Sequence, residues 1–211
     1  MFKQHLASFP RSGVIVVPLG ELIDAPHDAR SRVALTFDDG HPADQVTTWP
    51  LLRDAGVCAT FFISLCNIGG QRDPRWAMIR QMHEEGHRFG AHGIQHIRLD
   101  RLPPAQQRDE MERSRSTIEQ HVGAAVELFA FPYGRADRSA IRVARGLGSR
   151  AVFTTAGPYP TRSERPFVLH RWSMTTALRT ERLEAVLRDD LKERVRASLA
   201  KPIRLWRSGT N

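Results

Sequence analysis

Three short stretches carry residue types that could do chemistry. Asp38 and Asp39 end the apolar run 33–37 and precede Gly40. Two adjacent carboxylates repel each other unless their roles differ, and a strand that breaks at its end can turn both towards one cleft, where a cation would relieve the repulsion. A plain Asp-Asp-Gly turn fits the same residues. His92 and His96 are four residues apart, which places them on one face of a helical turn at metal-ligand spacing. In a chain with nine histidines, a surface pair fits as well. The third stretch, Phe129-Ala130-Phe131-Pro132-Tyr133-Gly134, reads as a strand end whose backbone N–H groups could face a substrate, or as a buried strand with a Pro-Gly stop. Two His plus one carboxylate form an open metal set. With the second carboxylate and a backbone donor they are the parts of metal-assisted hydrolysis.

These stretches need a scaffold that brings strand ends together. Short β-rich runs at 13–19, 33–37, 57–63, 87–91, 126–131, 151–155 and 167–172 alternate with helical patterns. The helical patterns fall at 42–56, from Asp73-Pro74 to just before Gly86, and at 103–121, 136–146 and 180–199. Roughly seven such alternations predict a parallel α/β fold, whose functional groups sit at the C-terminal ends of the strands. The first residues, Met1 to His5, read as a mixed segment rather than a signal peptide.

The order TFDDG, then HxxxH within GHRFGAHGIQH, then FAFPYG resembles the polysaccharide deacetylase family, the NodB-homology domain of carbohydrate esterase family four. FKQHLASF…GVIVVPLGELI, ATFFI, and FTTAG followed by LHRW fit its exopolysaccharide and poly-N-acetylglucosamine deacetylase branch. The resemblance implies a distorted (β/α)7 barrel in a single domain over 1–174, leaving a basic helix and tail at 175–211. It implies Asp38 as general base, and Asp39, His92 and His96 as ligands of Zn²⁺ or of another divalent ion such as Co²⁺ or Ni²⁺. It also implies the Tyr133 amide as oxyanion donor, within a substrate-binding wall of Phe131, Pro132 and Tyr133. The substrate would be an N-acetylated glycan losing acetate. Gly93 stands where the family usually has Ser or Thr, which would loosen the loop. Ala130 stands where many members have Arg, so Arg171 is the candidate for orienting Asp38. His170 is the candidate general acid, although neighbouring strand residues face opposite ways.

Composition narrows the partners. The 211 residues include 31 Lys and Arg against 23 Asp and Glu, a formal charge of +8. An acidic candidate site argues against nucleic acid as the partner, and part of the excess gathers in 179–211, where a peripheral membrane contact is one reading and a solvated helix the other. Two cysteines cannot form a disulfide scaffold. No apolar stretch reaches membrane-spanning length, so the chain as given reads as cytoplasmic; a sequence trimmed of a signal would read the same. Three rivals stay open. One is a catalytically impaired glycan-binding or assembly protein with the same fold. Another is a metal hydrolase of a different small amide or ester. The third is a basic peripheral membrane protein.

Overall fold

A computed structural model describes residues 1–24, 32–70, 72–155, 167–174 and 178–197, with side chains up to Arg188. Strands β3 (Thr36–Phe37), β4 (Thr60–Ile63), β5 (Arg88–Ala91), β6 (Leu128–Ala130), β7 (Ala151–Thr154) and β8 (Val168–His170) form one parallel sheet in chain order. Strand β1 (Ile15–Val16) pairs in parallel with β2 (Arg32–Val33), which runs on towards β3. The result is a curled, barrel-like sheet with helices outside it.

Alternation along each strand decides which side chains face inwards. Ala34, Phe62, Ala130, Ala151 and Phe153 form one buried cluster inside the curl, with Leu19 of α2 (Leu19–Asp24) closing its base. Their neighbours Leu35, Phe37, Phe61, Ile63, Phe129 and Val152 face the helices in a larger core. Phe37 and Phe61 stack with ring centroids 5.0 Å apart. Gly90 of β5 leaves room for the inner cluster, since a Cβ there would stand 2.4 Å from the Phe62 ring. Continuing the inner series past the strand ends puts Asp38, His92, Pro132 and Arg171 at the same mouth. Burying each large apolar side chain contributes about 1.5–3 kcal/mol, so this two-sided packing strongly fixes the register that sets the mouth.

Helices α3 (Trp49–Asp54), α4 (Arg75–Glu84), α5 (Pro104–Val122) and α6 (Arg138–Gly146) follow the expected order. Asp73 caps α4 by accepting from the Arg75 amide at 2.9 Å, and Asp137 caps α6 by accepting from Ala140 at 2.8 Å. Two departures from the sequence reading stand out. The opening segment is a helix, α1 (Phe2–Arg11), whose buried face includes His5 and Ser8 beside Leu6 and Phe9. The predicted helix over 42–56 begins as a π-helical turn, Asp44–Thr48, before α3. Such turns recur at functional sites.

The last helix, α7 (Thr180–Ala197), packs on α1 through Leu183 and Leu187. Arg11 pairs with Glu184 at 2.9 Å across that contact. Leu199, Lys201, Arg204, Trp206 and Arg207, part of the basic tail read from the sequence, lie outside the described residues. Among the described residues no helix is long and apolar enough to cross a membrane.

Candidate active site

Asp38 follows β3 on the inner series and is 4% exposed. Arg171, just past β8 on the same series, reaches it with both terminal nitrogens, each 2.5 Å from a carboxylate oxygen. The guanidinium also donates to Thr36 Oγ1 at 3.1 Å and lies over the Phe62 and Phe153 rings. The side chain assigned to replace the missing Arg at position 130 therefore grips the Asp38 carboxylate in a bidentate, buried pair.

Asp39 leaves the strand with a left-handed backbone, φ 77°. Ser64 and Asn67 hold its carbonyl, the Asn67 amide donating at 3.0 Å. This turn breaks the alternation of the strand, and Asp39 meets the two histidines rather than Arg171. Its Oδ1 lies 3.2 Å from His92 Nε2 and 3.0 Å from His96 Nε2. Burial alone would raise the Asp39 carboxyl; imidazoles that are protonated at Nε2 outweigh it and hold the group well below the usual carboxylate range.

The histidines reach this point differently from the sequence reading, which put them on one helical turn. They lie on the loop after β5, because Gly93 at φ 83° and His96 at φ 53° break any helix between them. The loop is tied down on both sides. Leu65 and Cys66 donate to the carbonyls of Gly93 and Ile94. Glu110 of α5 accepts from the Ile94 and Gln95 amides at 2.6 and 3.2 Å. The loosening expected from Gly93 is thus countered by the Glu110 carboxylate: a Cβ at position 93 would stand 3.1 Å from its Oε2. His92 Nδ1 is 2.7 Å from the Ala130 carbonyl, which fixes Nδ1 as a donor, so that in the neutral ring Nε2 carries the lone pair a metal ion would take.

The residues fit a divalent metal ion. The ligand atoms of Asp39, His92 and His96 lie within 4.8 Å of one another. Asp39 Oδ1 and His96 Nε2 are buried, yet neither makes an aligned hydrogen bond despite their separation of 3.0 Å. Buried polar atoms are normally satisfied, and a cation between them would satisfy both.

The third stretch divides. Tyr133 has a left-handed backbone, φ 58°, is 49% exposed, and lays its ring 4.8 Å from that of His96. Pro132 is buried on the inner side. Phe131 does not line the mouth as expected; it falls on the outer series, fully buried and edge-on to Phe129. Gly134 is fixed by space, because a Cβ there would stand 1.8 Å from Thr155 Oγ1. His170 is also displaced from its expected role. As Arg171's neighbour it faces out of the curl, where its Nδ1 lies 2.6 Å from Thr154 Oγ1.

The family model for polysaccharide deacetylases matches residues 26–152. The chain belongs to the polysaccharide deacetylase family. A chitin deacetylase from Pestalotiopsis sp is 31% identical over 136 residues, 64% of this chain and 45% of the relative. The Streptococcus pyogenes deacetylase PplD, solved in complex with acetate, aligns at a TM-score of 0.77 and 21% identity, covering 88% of this chain and 85% of that one. IcaB from Ammonifex degensii aligns at 0.74 and 23% identity, covering 89% and 88%. The chain shares their distorted barrel fold. It spans about half, or less, of the length of the curated relatives it matches.

Three residues around the candidate site escaped the sequence reading: Asn67, Glu110 and Asp44. Glu110 carried a signal, since Gln107, Glu110, Ser114 and Ile118 share the buried face of α5 and three of them are polar. Asp44, in the π-helical turn, is 3% exposed and neither carboxylate oxygen has a hydrogen-bond partner. Burial pushes its carboxyl up to about 8; the charges of Asp39 and Asp38 add to this, and the His41 amide, near but not aligned, opposes it. The folded-state value lies above the unfolded one of 3.8. Between those values the unfolded chain releases a proton that the folded chain keeps, so stability falls as pH rises towards 8 and then levels off. Asp44→Asn, which mimics the protonated acid, should therefore raise Tm by several degrees at pH 8 in chelator and change it little at pH 4.5. Equal shifts at both pH values in thermal melts would contradict a protonated Asp44.

Proposed function

We propose that the protein is a metal-dependent hydrolase that removes N-acetyl groups from an N-acetylglucosamine-containing glycan, releasing acetate. One observation carries the reading: Arg171 grips Asp38 at the mouth, and Asp39, His92 and His96 bring three ligand atoms within 4.8 Å of one another there. A zinc ion, or a similar divalent ion, held by those three would polarise the acetamide carbonyl and make a neighbouring water more acidic.

The chain's own groups do the rest. Asp38 accepts the proton of the attacking water as oxygen bonds to the carbonyl carbon. Arg171 fixes both Asp38 oxygens, so the carboxylate has one orientation towards the mouth. The Tyr133 amide, in its left-handed turn, donates to the oxygen on which negative charge develops. When the C–N bond breaks, Asp38 returns its proton to the leaving amine. His170, bonded to Thr154, takes no part in this sequence.

The test is acetate release from N-acetylglucosamine oligomers after chelation and after adding back zinc, cobalt or nickel. Activity should vanish with chelator and return with metal, and His92→Ala should lower bound zinc well below one ion per chain by elemental analysis. Bound zinc without acetate release would instead favour a glycan-binding protein that has lost its chemistry. Full zinc occupancy in His92→Ala would remove His92 from the ligand set.

A further inference from the structure

The loop between His92 and His96 has only three residues with which to turn one histidine back beside the other. Gly93 supplies a left-handed φ of 83° and His96 another of 53°. Non-glycine residues in that region are strained and hold only where the surroundings over-determine them. The 64–67 turn supports the loop from one side through the Gly93 and Ile94 carbonyls, at 3.1 and 2.7 Å. The other side rests on α5, which packs against β5. There a single atom, Glu110 Oε2, accepts from two successive amides, Ile94 and Gln95. The residue is 6% exposed, so water is poorly placed to replace it. Gly93 lets that oxygen come close, because a Cβ at position 93 would stand 3.1 Å from Oε2.

We propose that Glu110 is the positioning residue for the His92–His96 pair, its one oxygen fixing the loop so that His96 Nε2 meets Asp39 and His92. The proposal rests on reading those three residues as metal ligands. It makes a specific chemical claim. Both bonds end on one oxygen, so position 110 needs a well-placed acceptor rather than a negative charge. Glutamine can place its carbonyl oxygen there. Aspartate keeps the charge but withdraws the oxygen by one methylene.

Zinc affinity of the full chain, by competition with a chromophoric chelator, separates these. Glu110→Ala should weaken zinc binding by about 10–100-fold, the usual effect of losing an outer partner of a ligand. Glu110→Gln should bind within about threefold of wild type, and Glu110→Asp should resemble the alanine variant. Wild-type affinity in Glu110→Ala would overturn the proposal. So would the reverse order, aspartate binding well and glutamine poorly, because it would make charge the decisive property. If the alanine variant does not fold, the order of the other two decides. Hydrogen exchange at the Ile94 and Gln95 amides in metal-free protein gives a separate reading. Protection should be lost in Glu110→Asp and kept in Glu110→Gln, and equal exchange in both would overturn the proposal. A wild-type chain that binds no zinc would sink the metal reading alone, and exchange would still decide whether Glu110 holds the loop.

Discussion

Asp38→Asn should lower acetate release by about two to four orders of magnitude while zinc stays bound. The substitution keeps the shape of the side chain, but it replaces a basic carboxylate by an amide that is too weakly basic to take the proton from water. The proposed metal ligands Asp39, His92 and His96 do not depend on position 38 for their orientation, since Asn67, the Ala130 carbonyl and the Glu110-held loop supply it. The measurement is paired: acetate release from an N-acetylglucosamine oligomer, and zinc per chain. Near-wild-type turnover would remove Asp38 as the base. Loss of zinc together with activity would show that the three ligands need position 38, contrary to the supports just named.

The second large effect is on stability. Arg171→Met should cost about 3–5 kcal/mol in urea unfolding, because it leaves the Asp38 carboxylate buried without its cation. Arg171 is 5% exposed and lies over the paired Phe62 and Phe153 rings, so water cannot readily fill in for it. The double variant Asp38→Leu with Arg171→Met should be more stable than Arg171→Met alone, since it removes the stranded charge as well as its partner. Strictly additive losses from the two single changes would mean that the pair is not coupled. Chelator in all samples keeps metal binding out of the comparison.

How much of this was legible in sequence depended on whether a local pattern carried it. The strand-end carboxylates were readable because a β-branched apolar run stops abruptly at Asp38-Asp39-Gly40. Arg171 was readable by a missing partner: Ala130 left Asp38 without the expected cation, and the last strand ended in Arg. The side on which a strand residue falls was harder. Phe131 and Ala130 are neighbours, and only the register of the curled sheet shows that Ala130 faces inwards while Phe131 packs against the helices. The same parity separates His170 from Arg171. The HxxxH spacing named the right residue types but the wrong geometry, because two left-handed residues replace the helical turn. Helix α1 was hidden by Pro10 and by the polar His5 and Ser8 on its buried face, of which His5 bonds the Leu178 carbonyl at 2.9 Å. Glu110 was hidden for a related reason, since its partners are backbone amides sixteen and fifteen residues away that no periodicity marks.

Among the described residues, the non-glycine positions with left-handed backbone are Asp39, His96 and Tyr133, and all three stand at the mouth. Each such conformation costs of order 1–3 kcal/mol against a relaxed one. Glycine at any of the three would ease the backbone and remove a ligand or the aromatic rim in the same step. Selection of this chain for thermal stability alone would therefore erode the mouth first, while the stacked phenylalanines of the wall stayed intact. Drift towards a stable, inert barrel is the direction in which the fold relaxes, and only a requirement for chemistry holds these three positions against it.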